Sequence, residues 1–460
     1  MKSLTDPSQA LSTGLAKIRA EFHVPEGFPP DVLAAAEAAA KRLPDQHADR
    51  TAMPFVTLDP ATSTDLDQAF TIEASGNDLL LHYAIADVAW FVEDGGAIDL
   101  EAWARGETLY LPDGKASLYP PVIAEAAASL LPDGPRPSVV FTVRIAEDGA
   151  VKLDGAERAI IRSRAKLAYD SVQTSDVPVG FAELARRMAA NEERRGASRV
   201  DPPEQEVEKL ADGGFRLSFR PILQSEKDNA ALSLAANMAI ADAMLAHKTG
   251  LFRVMSEPEA FKVQRLRNAA QALGLSWPAS TSLHDYQRTL DPTDKRQAAL
   301  MLEIRHASSG ASYQPYVEGV VPWHEAMAAT YAHATAPLRR LADRYVVRCT
   351  LAIANGQPVP QAVTDAFAKL PKVMGRADGR ASQINHAVID LAESVMLEGR
   401  EGEMFNAVVT DIADQGVRVQ LTDMAVVANV KASGLKQGDG VRLRLVSANP
   451  DQRSIVFAPA

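Results

Sequence analysis

One stretch near the start, FVTLDPATSTDLDQAF at residues 55–70, constrains the fold of this chain more than any other. Residues 55–58 form an apolar, β-branched run that is typical of a buried strand, and Pro60 ends it. Residues 68–72 restart an extended run after a short polar loop. The pattern therefore predicts two strands joined by a loop, with the loop side chains gathered at the end of a strand.

Three carboxylates crowd this loop, at Asp59, Asp65 and Asp67. Like charges so close together raise one another's pKa unless a cation or hydrogen-bond donors compensate. Carboxylate oxygens are also the ligands that magnesium prefers. Asp and Thr cap ordinary turns as well, so the spacing alone leaves a metal site and a structural turn both open. An EF-hand is excluded, because the glycine and the closing Glu of that loop are absent.

Composition limits the classes of protein that this chain can belong to. Its 460 residues predict two to four domains, and 47% hydrophobic with 23% charged residues is typical of a soluble protein. A single cysteine, Cys349, excludes a disulfide framework. The N-terminus has no secretory signal and polar residues interrupt every long apolar run, so we expect a cytoplasmic protein with no membrane partner. The net charge of −11 argues against nucleic-acid binding by bulk charge, but a local basic channel can coexist with an acidic surface.

Three regions of different pattern follow one another along the chain. Residues 1–50 read mostly helical, and residues 51–399 begin with strands and continue with helices. Residues 400–460 contain five short alternating runs separated by glycines, which is typical of an oligonucleotide-binding (OB) barrel. The sequence therefore predicts an α+β fold: a short helical N-terminal region, a central domain with a mixed sheet surrounded by helices, and a C-terminal OB-fold barrel.

A second chemically distinctive segment spans residues 330–356, where Pro337 suits the first turn of a helix. Arg339 and Arg340 follow directly. Two adjacent guanidinium groups at the positive end of a helix make a good phosphate site. For Arg344 and Arg348, farther along the predicted helix, we expect a solvated charged face with a salt bridge between Asp343 and an arginine instead.

Three stretches together resemble the ribonuclease II and R family, the RNB family, of bacterial exoribonucleases. They are TLDPATSTDLDQAF, the apolar run HYAIADVAWFV, and YAHATAPLRRLADR, which occur in the family's order. The C-terminal barrel fits the family's terminal OB fold of the ribosomal-protein S-one type. The resemblance covers roughly residues 20–460, and the N-terminal cold-shock barrels usual in bacterial members are not among the matching parts. It implies that residues 51–399 are an RNB catalytic domain and that residues 400–460 bind RNA.

The resemblance implies hydrolysis of single-stranded RNA from the 3′ end, processively, to nucleoside 5′-monophosphates. It implies a two-metal mechanism with magnesium, or with manganese in its place. Asp59, Asp65 and Asp67 would hold the metals, and Asp67 matches the position most critical for catalysis. Gln68 stands where the family has a fourth acidic ligand; its amide oxygen can still bind a metal but brings no charge.

The same resemblance implies how RNA is held. Arg305 is the candidate for the arginine that grips the scissile phosphate. The remaining candidates for RNA binding are Tyr110, Tyr169, His333, Thr335, Arg339 and Arg340. The two tyrosines match positions where the family stacks rings on bases, and stacking tolerates any base sequence.

Two rival functions remain open from the sequence. One is a catalytically weakened, RNA-binding member of the same family, because Gln68 removes a charge from the metal loop. The other is a phosphodiesterase that uses the same carboxylates on a small substrate, although a small substrate needs neither the barrel nor the paired arginines. We expect a monomer in either case.

Overall fold

The computed structural model describes residues 10–197, 204–209, 215–220, 222–291, 294–307, 310–413, 416–436 and 438–460. The α-helices in this part of the chain are α1 (Ala10–Glu21), α2 (Pro30–Ala39), α3 (Val88–Phe91), α4 (Ala97–Arg105), α5 (Phe181–Arg195), α6 (Gln224–Ala246), α7 (Ala260–Ala272), α8 (Leu283–Gln287), α9 (Lys295–Ala307), α10 (Leu341–Ala354) and α11 (Gln361–Leu397). The strands are β1 (Ala48–Asp49), β2 (Thr57–Asp59), β3 (Gln68–Ser75), β4 (Asp78–Ala86), β5 (Leu109–Leu111), β6 (Gly114–Ala116), β7 (Arg136–Ile145), β8 (Val151–Ile161), β9 (Lys166–Ala168), β10 (Glu204–Lys209), β11 (Phe215–Arg220), β12 (Leu251–Val254), β13 (Ser312–Pro315), β14 (Trp323–His324), β15 (Ala329–Thr330), β16 (Met404–Ala413), β17 (Gly416–Leu421), β18 (Val427–Val430), β19 (Gly440–Asn449) and β20 (Ser454–Pro459).

A five-stranded sheet in the order β1-β8-β7-β4-β3 forms the centre of the first part of the chain. The short β1 runs parallel to β8, and the other neighbours are antiparallel. The two-strand prediction for the acidic loop is confirmed, because β2 ends at Asp59 and β3 begins at Gln68. Strand β2 pairs with β9 in parallel, which brings Ala168 opposite Asp59 and the next residue, Tyr169, beside the loop.

Helix α6 lies in the hydrophobic core, which explains why it is apolar around most of its circumference. By length and composition it is the one helix among the described residues that could cross a membrane. Polar residues interrupt it as the sequence indicated, at Asn237 and Asp242 among others, but too few of them are charged to exclude it by this criterion. Because 67% of its apolar window is buried inside the protein, the helix has the burial of a core helix.

The arginine-rich segment enters its helix later than predicted. Helix α10 begins at Leu341, with Arg340 as its N-cap in an extended conformation, and not at Pro337. Two backbone N–H groups of the preceding residues are bound by carboxylates: Ala336 donates to Asp343 and Leu338 donates to Asp67. These side-chain acceptors hold residues 336–340 as a loop above the helix N-terminus.

The longest helix, α11, has 37 residues and contains Pro371. It passes directly beside Gly106, the C-cap of α4, where φ is +79° and a Cβ atom would lie 2.8 Å from Cβ of Ala377. Only glycine fits both the backbone conformation and this close approach. The segment after Gly106 then runs beside the arginine loop, because Leu341 N–H donates to Gly106 O and Thr108 N–H donates to Arg339 O.

Helix α1 fastens the β5–β6 hairpin. Arg19 forms two hydrogen bonds with Asp113 in the hairpin turn, of 3.0 and 2.8 Å, and a third of 3.2 Å with the carbonyl of Gly114. The apolar face of α1 packs against the C-terminal half of α11. The hairpin is therefore positioned by two helices from distant parts of the sequence.

Strands β16–β20 form an antiparallel, nearly closed barrel in the order β18-β17-β16-β19-β20, in which the edge strands β18 and β20 lie against each other. Its apolar interior includes Leu397, the last residue of α11. Glu393 of the same helix is buried and accepts hydrogen bonds from the N–H of Val427 and the amide of Gln205. The predicted α+β fold with a C-terminal OB-type barrel is confirmed, while the domain limits at residues 50 and 399 stay predictions.

Candidate active site

Asp67 is the most deeply buried carboxylate of the acidic loop, with 5% of its surface exposed. Its Oδ1 accepts a 2.7 Å hydrogen bond from the N–H of Leu338, and its Oδ2 lies 3.5 Å from Nε of Arg339. Burial raises the pKa of Asp67 to about 8, and the nearby Arg339 only partly opposes this shift. The carboxylate is therefore held firmly in position but is poorly compensated as an anion.

Asp59 is also poorly compensated. Its Oδ2 is buried and has no hydrogen-bond partner among the described residues. Burial raises the pKa of Asp59 to about 7; the Asp65 carboxylate raises it further, while Arg339 and Lys166 oppose the shift. A buried carboxylate oxygen without a partner is costly, so a cation at this position would relieve the cost.

Asp65 differs from its two neighbours because it has a cationic partner at hydrogen-bonding distance. Nζ of Lys115 lies 2.7 Å from Oδ1 of Asp65 and 3.1 Å from Oε1 of Glu125. Sequence reasoning singled out neither Lys115 nor Glu125; Lys115 lies in residues 108–121, whose pattern indicates an irregular segment. The available signal was the sequence LPDG inside that segment, which marks the turn of the β5–β6 hairpin and would have placed Lys115 opposite Tyr110.

Gln68 has its amide oxygen engaged. The hydroxyl of Tyr83 donates to Oε1 of Gln68, and Oγ of Ser233 donates to the same oxygen over 3.1 Å. Tyr83 and Ser233 are also within 2.7 Å of each other. The role of Gln68 as a metal ligand stays a prediction, and it requires that these hydroxyl contacts be given up.

The two candidate stacking residues contact different aspartates of the loop: Tyr110 lies beside Asp65, and the N–H of Tyr169 donates to the carbonyl of Asp59. Tyr110 is 56% exposed, and its hydroxyl lies 3.4 Å from Oδ2 of Asp65. The hydroxyl of Tyr169 accepts a 2.9 Å hydrogen bond from Asn229, which also donates to the carbonyl of Leu58. Asn229 thereby fixes the ring of Tyr169 against the strand that carries Asp59. Sequence reasoning did not single out Asn229.

Thr335 and His333 lie in the loop that leads to the arginines. Thr335 is buried, and Asn237 of helix α6 organises this loop by donating to Thr335 Oγ1 over 3.5 Å and accepting from the N–H of Ala334 over 3.0 Å. His333 Nδ1 lies 2.8 Å from the hydroxyl of Tyr313. Burial, with the nearby guanidinium groups, holds the pKa of His333 well below its ordinary value, so its imidazole is neutral at neutral pH.

The paired arginines have different surroundings. The side chain of Arg339 is 43% exposed and lies beside Asp67, so its guanidinium group can reach a ligand. Arg340 forms two hydrogen bonds, of 3.0 and 2.8 Å, with the fully buried Asp343. Arg340 therefore has its charge already paired, unlike Arg339, and its predicted role in RNA binding stays a prediction.

The remaining arginines singled out in the sequence lie in helices α10 and α9. The expectation of a solvated charged face was wrong: Arg344 is buried and pairs with Asp99, and Arg348 pairs with Asp94 over 2.6 Å. The salt bridge expected from Asp343 goes to Arg340 instead. Arg305 lies in helix α9, but its side chain is outside the described part of the protein, so its predicted grip on a phosphate stays a prediction.

In the described part of the chain, no three His, Cys, Asp or Glu side chains converge closely enough to hold a metal ion. What the fold does bring together is the acidic loop, the exposed guanidinium group of Arg339, and the rings of Tyr110 and Tyr169. The contacts of Asp67 with Leu338 and Arg339 join two segments that are 271 residues apart in sequence.

Comparison with known proteins agrees with this arrangement. The RNB domain matches residues 47–355, and the RNase II-type exonuclease C-terminal S1 domain matches residues 403–460. Ribonuclease R of Thermotoga maritima is 26% identical over 467 residues, which cover 94% of this chain and 64% of that protein. Ribonuclease R of Escherichia coli is 25% identical, and the match covers 88% of this chain and 56% of the relative. The chain thus spans less than two thirds of the length of these curated relatives.

Solved structures show the same fold. Mycoplasma genitalium RNase R in complex with ribose-methylated single-stranded RNA has a TM-score of 0.86 at 18% identity, covering all of this chain and 79% of that one. Yeast Ssd1, described as a pseudonuclease, has a TM-score of 0.68 at 15% identity, covering 96% of this chain and 59% of that one. On the strength of the domain match over residues 47–355, this chain belongs to the RNB-domain family and carries a C-terminal S1 domain of the RNase II type.

Proposed function

We propose that this protein is a 3′-to-5′ exoribonuclease, which hydrolyses single-stranded RNA processively and releases nucleoside 5′-monophosphates. The single observation that carries the proposal is the pairing of Asp67 with Arg339. A buried, firmly held carboxylate lies 3.5 Å from a guanidinium group that is 43% exposed. Phosphodiester hydrolysis needs a site for a cation or an activated water, which Asp67 can provide. It also needs a positive group near the phosphate oxygens on which negative charge develops, which Arg339 can provide.

The donor chemistry of the loop fits a divalent cation. Hard ions such as magnesium or manganese prefer carboxylate oxygens, and Asp59 presents a buried oxygen that has no partner among the described residues. Asp59 and Asp67 would hold the ion, and Asp65 would join them if it left Lys115. A bound divalent ion polarises a phosphate oxygen and lowers the pKa of a bound water. The two-ion arrangement implied by the resemblance remains a proposal.

The residues around the loop supply positioning. Arg339 would contact the scissile phosphate or its neighbour, and the rings of Tyr110 and Tyr169 would stack on bases on either side of it. Stacking contributes about 1–3 kcal/mol per base and tolerates any sequence, as a general degrading enzyme requires. Support for an RNA substrate comes from the related fold of M. genitalium RNase R, whose structures contain single-stranded and double-stranded RNA. Neutral His333 and buried Thr335 would act as hydrogen-bonding groups and not as charges.

A second candidate function is RNA binding without hydrolysis. Gln68 carries no negative charge, and its amide oxygen accepts hydrogen bonds from Tyr83 and Ser233. Asp65 is paired with Lys115. The fold is shared with yeast Ssd1, a pseudonuclease. A chain with this loop could keep an RNA channel and lose the metal chemistry.

A direct test separates the two candidates. A 5′-labelled, 3′-unblocked single strand is incubated with the purified protein in magnesium, in manganese and in EDTA. The exonuclease proposal expects conversion of the labelled strand to a short 5′-terminal end product without accumulation of intermediate lengths, release of unlabelled mononucleotides, and loss of both in EDTA. Intact RNA that is nevertheless retained by the protein would favour the binding function, and internal cuts would contradict both. Asp67→Asn is the matched control for contaminating nuclease. A cytoplasmic location and a monomeric state stay predictions.

A further inference from the structure

The ammonium group of Lys115 lies among three oxygen-bearing side chains. Its Nζ is 2.7 Å from Asp65 Oδ1, 3.1 Å from Glu125 Oε1 and 3.5 Å from Thr64 Oγ1. Thr64 in turn donates a 3.0 Å hydrogen bond to Glu125. An ammonium group has three N–H donors, so each of them has an acceptor within reach here. The ammonium group of Lys115 therefore contacts several side-chain oxygens at once, as a bound metal ion would.

This position is built into the fold. Lys115 and Asp65 are 22% and 11% exposed, so solvent screens their attraction less than that of a surface pair. Lys115 is the cross-strand neighbour of Tyr110 in the β5–β6 hairpin. Arg19 of helix α1 fastens the turn of that hairpin through Asp113. The backbone thus places the Lys115 side chain within reach of Asp65.

The other two aspartates lack such a cation. Asp59 has a buried oxygen with no partner among the described residues. Oδ2 of Asp67 has the long 3.5 Å contact to Arg339, whose side chain is 43% exposed. The site therefore has one carboxylate that a lysine neutralises and two that need a positive charge. Gln68 adds no charge, and its oxygen faces Tyr83 and Ser233.

We propose that Lys115 is a built-in cation of this site: its ammonium group keeps Asp65 from binding metal, so that the chain binds one divalent ion, at Asp59 and Asp67, in place of two. The inference rests on the proposed function, because it assigns the cations of the same site. It does not follow from the family resemblance, which implies two ions. The positive charge of a second ion is supplied by the side chain, permanently and independently of the metal concentration.

The number of bound ions tests this inference directly. Manganese binding to the full-length protein is counted by electron paramagnetic resonance and by equilibrium dialysis, without RNA. The wild type is expected to bind one Mn²⁺ per chain. Lys115→Met is expected to bind two, the second at least about tenfold more tightly than any second ion in the wild type, because a unit charge no longer opposes it. Lys115→Arg should keep the count at one.

Lys152→Met is the matched control, since it removes the same charge from a lysine that is 76% exposed and pairs with Asp154 in β8. It should bind one Mn²⁺. Circular dichroism shows whether each variant is folded. If Lys115→Met does not fold, the wild-type count still decides, because two ions bound to the wild type overturn the inference. One ion bound to a folded Lys115→Met overturns it as well.

RNA turnover measured on the same samples separates this inference from the proposed function. Two Mn²⁺ ions bound to the wild type, together with 3′-to-5′ degradation of RNA, would overturn the role of Lys115 but support the proposed exonuclease function. One ion in the wild type and two in Lys115→Met, with RNA left intact, would support the role of Lys115 and overturn the exonuclease. Absence of any bound Mn²⁺ would overturn the inference and the metal chemistry together.

Discussion

The backbone N–H of Leu338 donates a 2.7 Å hydrogen bond to Oδ1 of Asp67, across 271 residues of sequence. This bond holds the acidic loop and the arginine loop together, and it places Arg339 beside the carboxylate. It also lets the role of Asp67 in chemistry be separated from its role in structure, because an amide oxygen can accept the same bond.

Asp67→Asn is therefore expected to remain folded and to lose RNA hydrolysis by about a thousandfold or more, equivalent to about 4 kcal/mol of transition-state stabilisation. The amide still accepts from Leu338, but it carries no charge for a cation. Turnover of a labelled oligonucleotide and its dissociation constant, measured together, check this. Asp94→Asn, at an exposed ion pair with Arg348, is the control and should keep activity. Full activity of Asp67→Asn would remove the assignment of the metal loop.

The paired arginines should respond in opposite ways to truncation. Arg339→Ala is expected to lower turnover by about a hundredfold or more with little change in stability, because its exposed guanidinium group is available to phosphate. Arg340→Ala is expected to cost about 3–5 kcal/mol of unfolding free energy, since it leaves Asp343 buried and unpaired. Urea unfolding and single-turnover rates measured on both variants distinguish the two roles. Equal effects would contradict the asymmetry.

Tyr169 is expected to set the size of the final product. Tyr169→Ala should leave longer end products and weaken binding of short oligonucleotides about 5- to 150-fold, corresponding to ~1–3 kcal/mol of lost stacking. Tyr169→Phe keeps the ring and loses only the hydrogen bond from Asn229, so its end product should match that of the wild type. Product length on a denaturing gel is the measurement. If Tyr169→Ala yields wild-type products, the stacking role is wrong.

Metal affinity should rise with pH between about 6 and 8. Burial raises the pKa of Asp59 to about 7 and of Asp67 to about 8, so both carboxyl groups are largely protonated below this range and a cation must displace their protons. Calorimetry of Mn²⁺ binding in buffers of different ionisation enthalpy should show about two protons released at pH 6 and few at pH 9. Asp67→Asn should release about one. A pH-independent affinity would argue against these two ligands.

The buried carboxyl group of Glu393, away from the candidate active site, should make the free energy of unfolding depend on pH. Burial raises its pKa to about 7, against the hydrogen bonds from Val427 and Gln205. Because the folded state holds this proton more tightly than the unfolded state, the contribution of Glu393 is most favourable below pH 4.5 and is lost as the pH rises through 7. Glu393→Gln should therefore raise the unfolding free energy at pH 8 by about 1–3 kcal/mol and change little at pH 4.5. Chemical denaturation at both pH values tests this, and a destabilised variant at pH 8 would contradict it.

Local patterns in the sequence were enough for the strands around the acidic loop and for the C-terminal barrel, since alternation and glycine turns report directly on backbone conformation. They did not predict where α10 begins, because Arg340 is held in an extended conformation by backbone pairing with a distant part of the sequence: Leu341 N–H donates to Gly106 O and Thr108 N–H donates to Arg339 O. The same limit applies to Lys115, whose partner Asp65 lies 50 residues earlier. Such contacts follow from topology, which a single sequence does not state.

Helix α11, with 37 residues, is roughly 55 Å long at 1.5 Å per residue, and its last turn is embedded in the barrel interior through Leu397. Earlier along its length it lies against Gly106, next to the strand segment that supports Arg339. This single helix thus spans from the C-terminal barrel to the candidate active site. We expect the barrel to keep one orientation relative to the candidate active site, both when RNA binds and when it is cleaved, and not to move about a hinge.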